Sequence, residues 1–196
     1  MVTRPKAVTR EGIELLARKP PPERQITFEE FLEWAGEDDW AEWVDGEVIL
    51  LMPESYVHQQ LAVFLVFLMQ AFANTRGLGK VVTNMLMRLV TRPSGRAPDA
   101  LFLRSEHLDR LHETHVDGPA DLVVEIVESA ERDREEKVAE YAAADIPEYW
   151  LLDPSRQDAT FYRLGPDGTY HRVVPDANGV YRSEALIGFW LRVEWL

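Results

Sequence analysis

Two acids stand inside apolar runs: Glu125 in DLVVEIVE, residues 121–128, and Asp99 at the start of DALFL, residues 99–103. Side chains alternate along a strand, so Val123, Glu125 and Val127 share one face, and Leu122, Val124 and Ile126 share the other. Both faces are apolar apart from the acid, which is the pattern of a central strand. A carboxylate ionised there without a partner suffers a heavy desolvation penalty, so Glu125 needs a cation nearby or a proton. By the same alternation Asp99 shares a face with Leu101 and Leu103, opposite Ala100 and Phe102. On neighbouring strands the two acids can converge on a hard divalent cation, because Mg²⁺ takes oxygen ligands and is commonly held by one or two carboxylates. The connection SEHLDRLHETHVDGPAD, residues 105–121, is long enough to reverse the chain between them.

A dense comb of charges follows Glu125. Asp133 and Glu136 form a D-x-x-E capping pattern that predicts a helix start, with Lys137 in the first turn and Tyr141 one turn later on the same side. Lys137 can point back at the glutamate strand, where an ammonium orients a nucleophile or stabilises charge developing on a phosphate. Plainer readings stand beside these. Asp99 can cap a strand after Pro98, and Glu125 can form a buried ion pair with Arg88 or Arg104. Lys137 can pair with Asp133 on a helix surface for about 0.2 to 0.5 kcal/mol. Tyr141 and Tyr149 read as core aromatics with a polar tip, since Val138, Tyr141 and Ala142 form an apolar stripe. His58 in YVHQQL could help to bind metal or water, or be a polar residue in a helix's first turn. Glu47 in VDGEV is a remote carboxylate candidate, or an ordinary turn acid.

The elements that must position these residues are legible from caps and turns. TFEEFLEWA predicts a short amphipathic helix with a Thr27–Glu30 capping box. The Asp45–Gly46 pair predicts a hairpin, and a long helix is expected from Ser55 to about Arg76, stopped by Gly77. Its apolar run at residues 61–73 reads as a buried helix, too short to span a bilayer, which takes about 20 residues. GKVVTNMLMRLV, GRAPDALFLR, ADLVVEIVE and PEYWLLDP are four strand candidates, and the tail reads as antiparallel strands.

Composition narrows the chemistry. The 196 residues, 46% of them hydrophobic, suit one domain at residues 26–196 behind a flexible, Pro-rich leader at residues 1–25. No signal-peptide h-region is visible, which fits a cytoplasmic protein with no membrane attachment. The absence of cysteine excludes disulfides, thiolate zinc sites and cysteine nucleophiles. A net charge of -13 disfavours non-specific binding of polyanions, so nucleic acid must be met through a local basic patch. Arg88, Arg92, Arg96 and Arg104 are the candidates.

The ordered set of Pro98–Asp99, the E-x-V of residues 125–127, the D-R-x-E-K-x-x-x-Y of residues 133–141 and PEYWLLDP resembles the Uma2 family, a branch of the PD-(D/E)XK nuclease superfamily. The resemblance extends from about Thr27 to the C-terminus and takes in VDGEVILLMPES, His58 and GFWLRVEWL. It implies an α/β (α+β) fold: an αβββαβ core, with a mixed central sheet flanked by helices and extra C-terminal antiparallel strands. It also implies Asp99, Glu125 and the Ile126 carbonyl as metal ligands. Superfamily members usually carry the lysine two residues after the glutamate, where Val127 stands here, so the carry-over places it on the helix at Lys137. Glu128 stands where the family commonly has serine. The expected function is a Mg²⁺- or Mn²⁺-dependent endonuclease acting on DNA. The alternatives are a non-catalytic interaction module retaining the fold and a hydrolase of another phosphoester. The apolar ridge at residues 61–69 and the aromatic tail suggest a homodimer.

Overall fold

The computed structural model describes residues 7–8, 14–15, 20–36, 39–127 and 131–196, with residues 7–8, 14–15 and 131–134 described in backbone only. Strands β1 (Ala7–Val8) and β2 (Glu14–Leu15) pair antiparallel. The rest of the expected leader, up to residue 19, lies outside the described residues, as does Glu128. In α1 (Phe28–Trp34) the Thr27 hydroxyl accepts from the Glu30 N–H and the Glu30 carboxylate accepts from the Thr27 N–H, which completes the expected box. Strands β3 (Ala41–Val44) and β4 (Glu47–Leu50) form the expected hairpin, with Asp45 and Gly46 both at positive φ, 50° and 90°.

Helix α2 (Tyr56–Arg76) starts where the Ser55 hydroxyl accepts from the His58 N–H and stops at Gly77, φ 63°. One stripe is buried: His58, Leu61, Leu65, Met69 and Ala73. Val57, Val63 and Phe67 are exposed, so the expectation of a buried helix holds for that stripe alone. At 21 residues, with a mean hydropathy of 1.4 over an 18-residue window, the helix is long and apolar enough to cross a membrane by length and composition, unlike its shorter apolar run at residues 61–73.

Beyond α2 the chain alternates between two sheets. The segments in order are β5 (Gly79–Val82), β6 (Leu86–Leu89), β7 (Ser94–Arg96), β8 (Ala100–Arg104), β9 (His115–Asp117), β10 (Leu122–Ile126), α3 (Glu131–Ala143), β11 (Glu148–Asp153), β12 (Asp158–Leu164), β13 (Tyr170–Val173), β14 (Val180–Arg182) and β15 (Trp190–Arg192). The main sheet runs β13-β12-β11-β10-β8-β5 and the second runs β4-β3-β7-β6-β9. In the main sheet β10 and β11 are parallel and the other pairs antiparallel. GKVVTNMLMRLV and GRAPDALFLR, each expected as one strand, are therefore two strands apiece, β5 with β6 and β7 with β8. Their corners lie at Asn84, φ 49°, and at Pro98, which has no N–H to give a ladder.

In chain order, α2, β5, β8, β10, α3 and β11 form the αβββαβ core expected from the resemblance. Leu122, Val124 and Ile126 pack with Ala100, Phe102 and the α2 stripe, while Val123, Leu101 and Leu103 pack with Tyr141 and Tyr149. The tail is antiparallel as expected: β12 and β13 extend the main sheet, and β14 pairs with β15.

Candidate active site

The ladder between β8 and β10 ends where Ala100 faces Val124, so the backbone groups of Ile126 must find partners beyond the last rung. The Ile126 N–H donates to Asp99 Oδ2 at 2.6 Å, and its carbonyl oxygen lies 2.8 Å from His58 Nε2. The same nitrogen is 3.2 Å from Asp99 Oδ1. Burial disfavours charge on His58, but hydrogen bonding to Asp99, the charges of Asp99 and Glu54, and the Ile126 carbonyl outweigh it and hold the pKa up at about 9. His58 Nδ1 lies 3.1 Å from Glu54 Oε2 without hydrogen-bond alignment.

Glu125 points to the other face of β10, toward α3. Its Oε2 is 2.9 Å from Lys137 Nζ, and its Oε1 accepts from the Tyr141 hydroxyl at 2.7 Å. The two donors are four residues apart on one helix face, so a single turn of α3 supplies both. Burial pushes the Glu125 carboxyl up; the Lys137 ammonium opposes this, and the charges of Asp99 and Glu42 add to the rise. Burial also disfavours the Lys137 ammonium, but Glu125 and Glu42 outweigh it and raise its pKa.

A second layer locks the lysine. Glu42 on β3 lies 3.5 Å from Lys137 Nζ and 2.9 Å from Arg96 Nη1. Arg96 also donates to Glu140 of α3 at 2.5 Å, and the Ser94 hydroxyl donates to the same carboxylate. Lys137, Glu140 and Tyr141 thus line the inner face of α3 and tie it to both sheets.

The structure brings together Asp99, Glu125, Ile126, Lys137, Tyr141 and His58. Glu47 does not join them: it is exposed on β4, and Glu42, five residues earlier, is the hairpin carboxylate that turns inward. Neither Arg88 nor Arg104 pairs with Glu125. Arg88 pairs with Glu29, and Arg104 donates to the Glu184 and Ala185 carbonyls. Helix α3 begins at Glu131, ahead of the expected start, so Lys137 sits in the second turn; the Asp133 side chain lies outside the described residues. Acids are favoured throughout a first turn, so the D-x-x-E pattern marked the turn without fixing the cap.

The expected basic patch is largely committed elsewhere. Arg92 pairs with Asp45 and Glu136, Arg96 is buried between Glu42 and Glu140, and Arg88 and Arg104 are engaged as above. Residues that sequence reasoning missed are Glu42, Glu54 and Glu140. Glu42 carried one signal, an acid among Ala41, Trp43 and Val44, and Glu54 carried its spacing of four from His58.

The fold is a nuclease fold. A solved structure described as a "putative nuclease belonging to DUF820" from Anabaena variabilis superposes with a TM-score of 0.70 at 16% identity, covering 86% of this chain and 96% of that one. Residues 28–194 match the Uma2 family, described as "Putative restriction endonuclease", and the chain belongs to that family. No curated protein matches it.

A restriction-endonuclease-like fold implies use of a divalent metal, and the residues fit one. Glu54, His58 and Asp99 each offer a ligand atom within 4.8 Å of the others. Glu42, Glu54, Asp99, Glu125 and Glu140 outnumber Lys137, Arg96 and His58, and Asp99 and Glu42 crowd Glu125 with like charge. A divalent cation relieves both imbalances.

Proposed function

We propose that this protein is a metal-dependent endonuclease that hydrolyses phosphodiester bonds of DNA. The observation that carries this reading is the Lys137–Glu125 contact at 2.9 Å: a lysine reaches the motif glutamate from α3 although Val127 occupies the usual position. Family membership supports a nuclease, and the cluster supplies its working groups.

Asp99, Glu125 and the Ile126 carbonyl would hold Mg²⁺ or Mn²⁺. When bound, such a cation supplies Lewis-acid stabilisation of the charge that develops on a scissile phosphate. The protein's own groups do the positioning. Lys137, kept charged by Glu125 and Glu42, presents N–H donors to the attacking water or a phosphate oxygen. Tyr141 holds Glu125 in one rotamer, and Glu42 with Arg96 keeps the Lys137 stem from swinging away.

The test is cleavage of a panel of DNA and RNA substrates with Mg²⁺ or Mn²⁺, comparing the protein with Asp99→Ala and Glu125→Ala. Cleavage by the wild-type protein alone supports the reading, and equal behaviour of all three removes it. The engagement of Arg88, Arg92, Arg96 and Arg104 by internal partners favours a second reading, hydrolysis of a smaller phosphoester that needs no cationic track. Activity on nucleotides or small esters, with none on polymers, selects it.

A further inference from the structure

His58 heads the buried stripe of α2, above Leu61, Leu65, Met69 and Ala73, and is 5% exposed. A polar ring at the top of an apolar stripe needs partners, and three oxygens surround it. Nε2 lies 2.8 Å from the Ile126 carbonyl oxygen and 3.2 Å from Asp99 Oδ1, while Nδ1 faces Glu54 Oε2 at 3.1 Å. Adjacent ligands of an octahedral cation with bonds of about 2.1 Å are separated by about 3.0 Å. Both Nε2 separations are within a few tenths of an ångström of that edge length, the spacing that neighbouring ligands of one cation would have.

The second nitrogen supplies an independent sign. Nδ1 is buried and has no aligned hydrogen-bond partner, although the Glu54 carboxylate is within reach. A metal-bound imidazole characteristically donates its remaining N–H to a carboxylate, which fixes both tautomer and ring orientation. Glu54 stands four residues before His58, just ahead of the Ser55 cap that begins α2, so the helix start itself delivers the pair.

We propose that His58 is a cation ligand through Nε2, beside Asp99 and the Ile126 carbonyl, and that Glu54 is a positioning residue acting through Nδ1. This rests on the metal-dependent reading above and extends it. One imidazole among hard oxygens shifts preference from Mg²⁺ toward transition ions such as Mn²⁺ and Co²⁺.

The test is electron spin echo envelope modulation of the full chain loaded with Mn²⁺ alone, together with calorimetric Mn²⁺ and Mg²⁺ titrations. The expected result is nitrogen modulation from one imidazole, lost in His58→Gln, with Mn²⁺ affinity reduced at least tenfold and Mg²⁺ affinity reduced less. Glu54→Gln should keep the modulation while weakening Mn²⁺ about tenfold. His107, His112, His115 and His171 are also present, so a signal that survives His58→Gln overturns the assignment. The wild-type spectrum needs no variant, so misfolding of His58→Gln does not shelter the proposal: absence of nitrogen modulation overturns it. Mn²⁺ bound without nitrogen modulation, but lost in Asp99→Ala, overturns the His58 role and leaves the metal-dependent reading standing. No Mn²⁺ binding by folded wild-type protein overturns both.

Discussion

Glu125 on β10 and Glu148 on β11 are both buried, at 5% and 1% exposure, on strands that pair directly. In the parallel register Leu122 faces Glu148 and Glu125 faces Leu151, so the acids lie toward opposite ends of one ladder. They also lie on opposite faces: Glu125 under α3, and Glu148 on the α2 side with Trp150. Glu148 accepts from the Trp150 indole, the Tyr181 and Ser183 hydroxyls, and the Glu184 and Ala185 N–H groups. Five neutral donors use up the roughly four lone-pair sites of a carboxylate. Glu125 has two donors, Lys137 and Tyr141, and two acidic neighbours that raise its pKa. Glu148 is a saturated clip that fastens the C-terminal segment to the main sheet. Glu125 keeps unused acceptor capacity in a like-charged setting, which is what a group reserved for a ligand requires.

Four substitutions break or sharpen this contrast. Glu125→Gln should lower cleavage about 10³-fold, about 4 kcal/mol of barrier, in steady-state assays. Its unfolding free energy should fall by about 1 kcal/mol, because the Lys137 ammonium loses its nearest carboxylate but keeps Glu42 at 3.5 Å, and the amide oxygen still accepts from Tyr141. Glu148→Ala should do the reverse. Denaturant titration should show a loss of about 3 kcal/mol, from donors left unsatisfied in the core, with cleavage per folded molecule unchanged. Lys137→Met should slow cleavage about 10²-fold, about 2.7 kcal/mol, with affinity for the substrate changed less than turnover. Tyr141→Phe should cost about 1 kcal/mol of stability and only a few-fold in rate, since it removes one of Glu125's two donors. If Glu148→Ala proves as damaging to catalysis per folded molecule as Glu125→Gln, the division between clip and working acid collapses.

The parts that sequence reveals are the local ones. Thr27, Ser55, Gly77 and the Asp45–Gly46 pair announce their caps and turns because each satisfies backbone groups within a few residues. Alternation likewise assigned the faces of β8 and β10 correctly. Alternation does not reveal which ladder a strand joins, so the passages from β5 to β6 and from β7 to β8 between sheets were invisible. The same limit governs the site. Asp99, Glu125, Lys137 and Tyr141 stand out because each breaks or completes a local pattern. Glu42 does not: its role depends on Arg96, 54 residues away, and on Lys137, and no local pattern connects them. Arg96 was even assigned to a basic patch, since sequence gives its charge but not the two glutamates that bury it.

The most direct test of a working Glu125 is the thermal midpoint with and without a divalent cation. At Mn²⁺ concentrations near one hundred times Kd, binding adds about 2.7 kcal/mol to the folded state, roughly 5–10 °C in Tm for a chain of this size. The wild-type protein should show that rise. Glu148→Gln should show it from a lower starting midpoint, and Glu125→Gln should lose most of it. A rise of equal size in Glu125→Gln, or no rise in the wild-type protein, would contradict the assignment of Glu125 as the acid held for a cation.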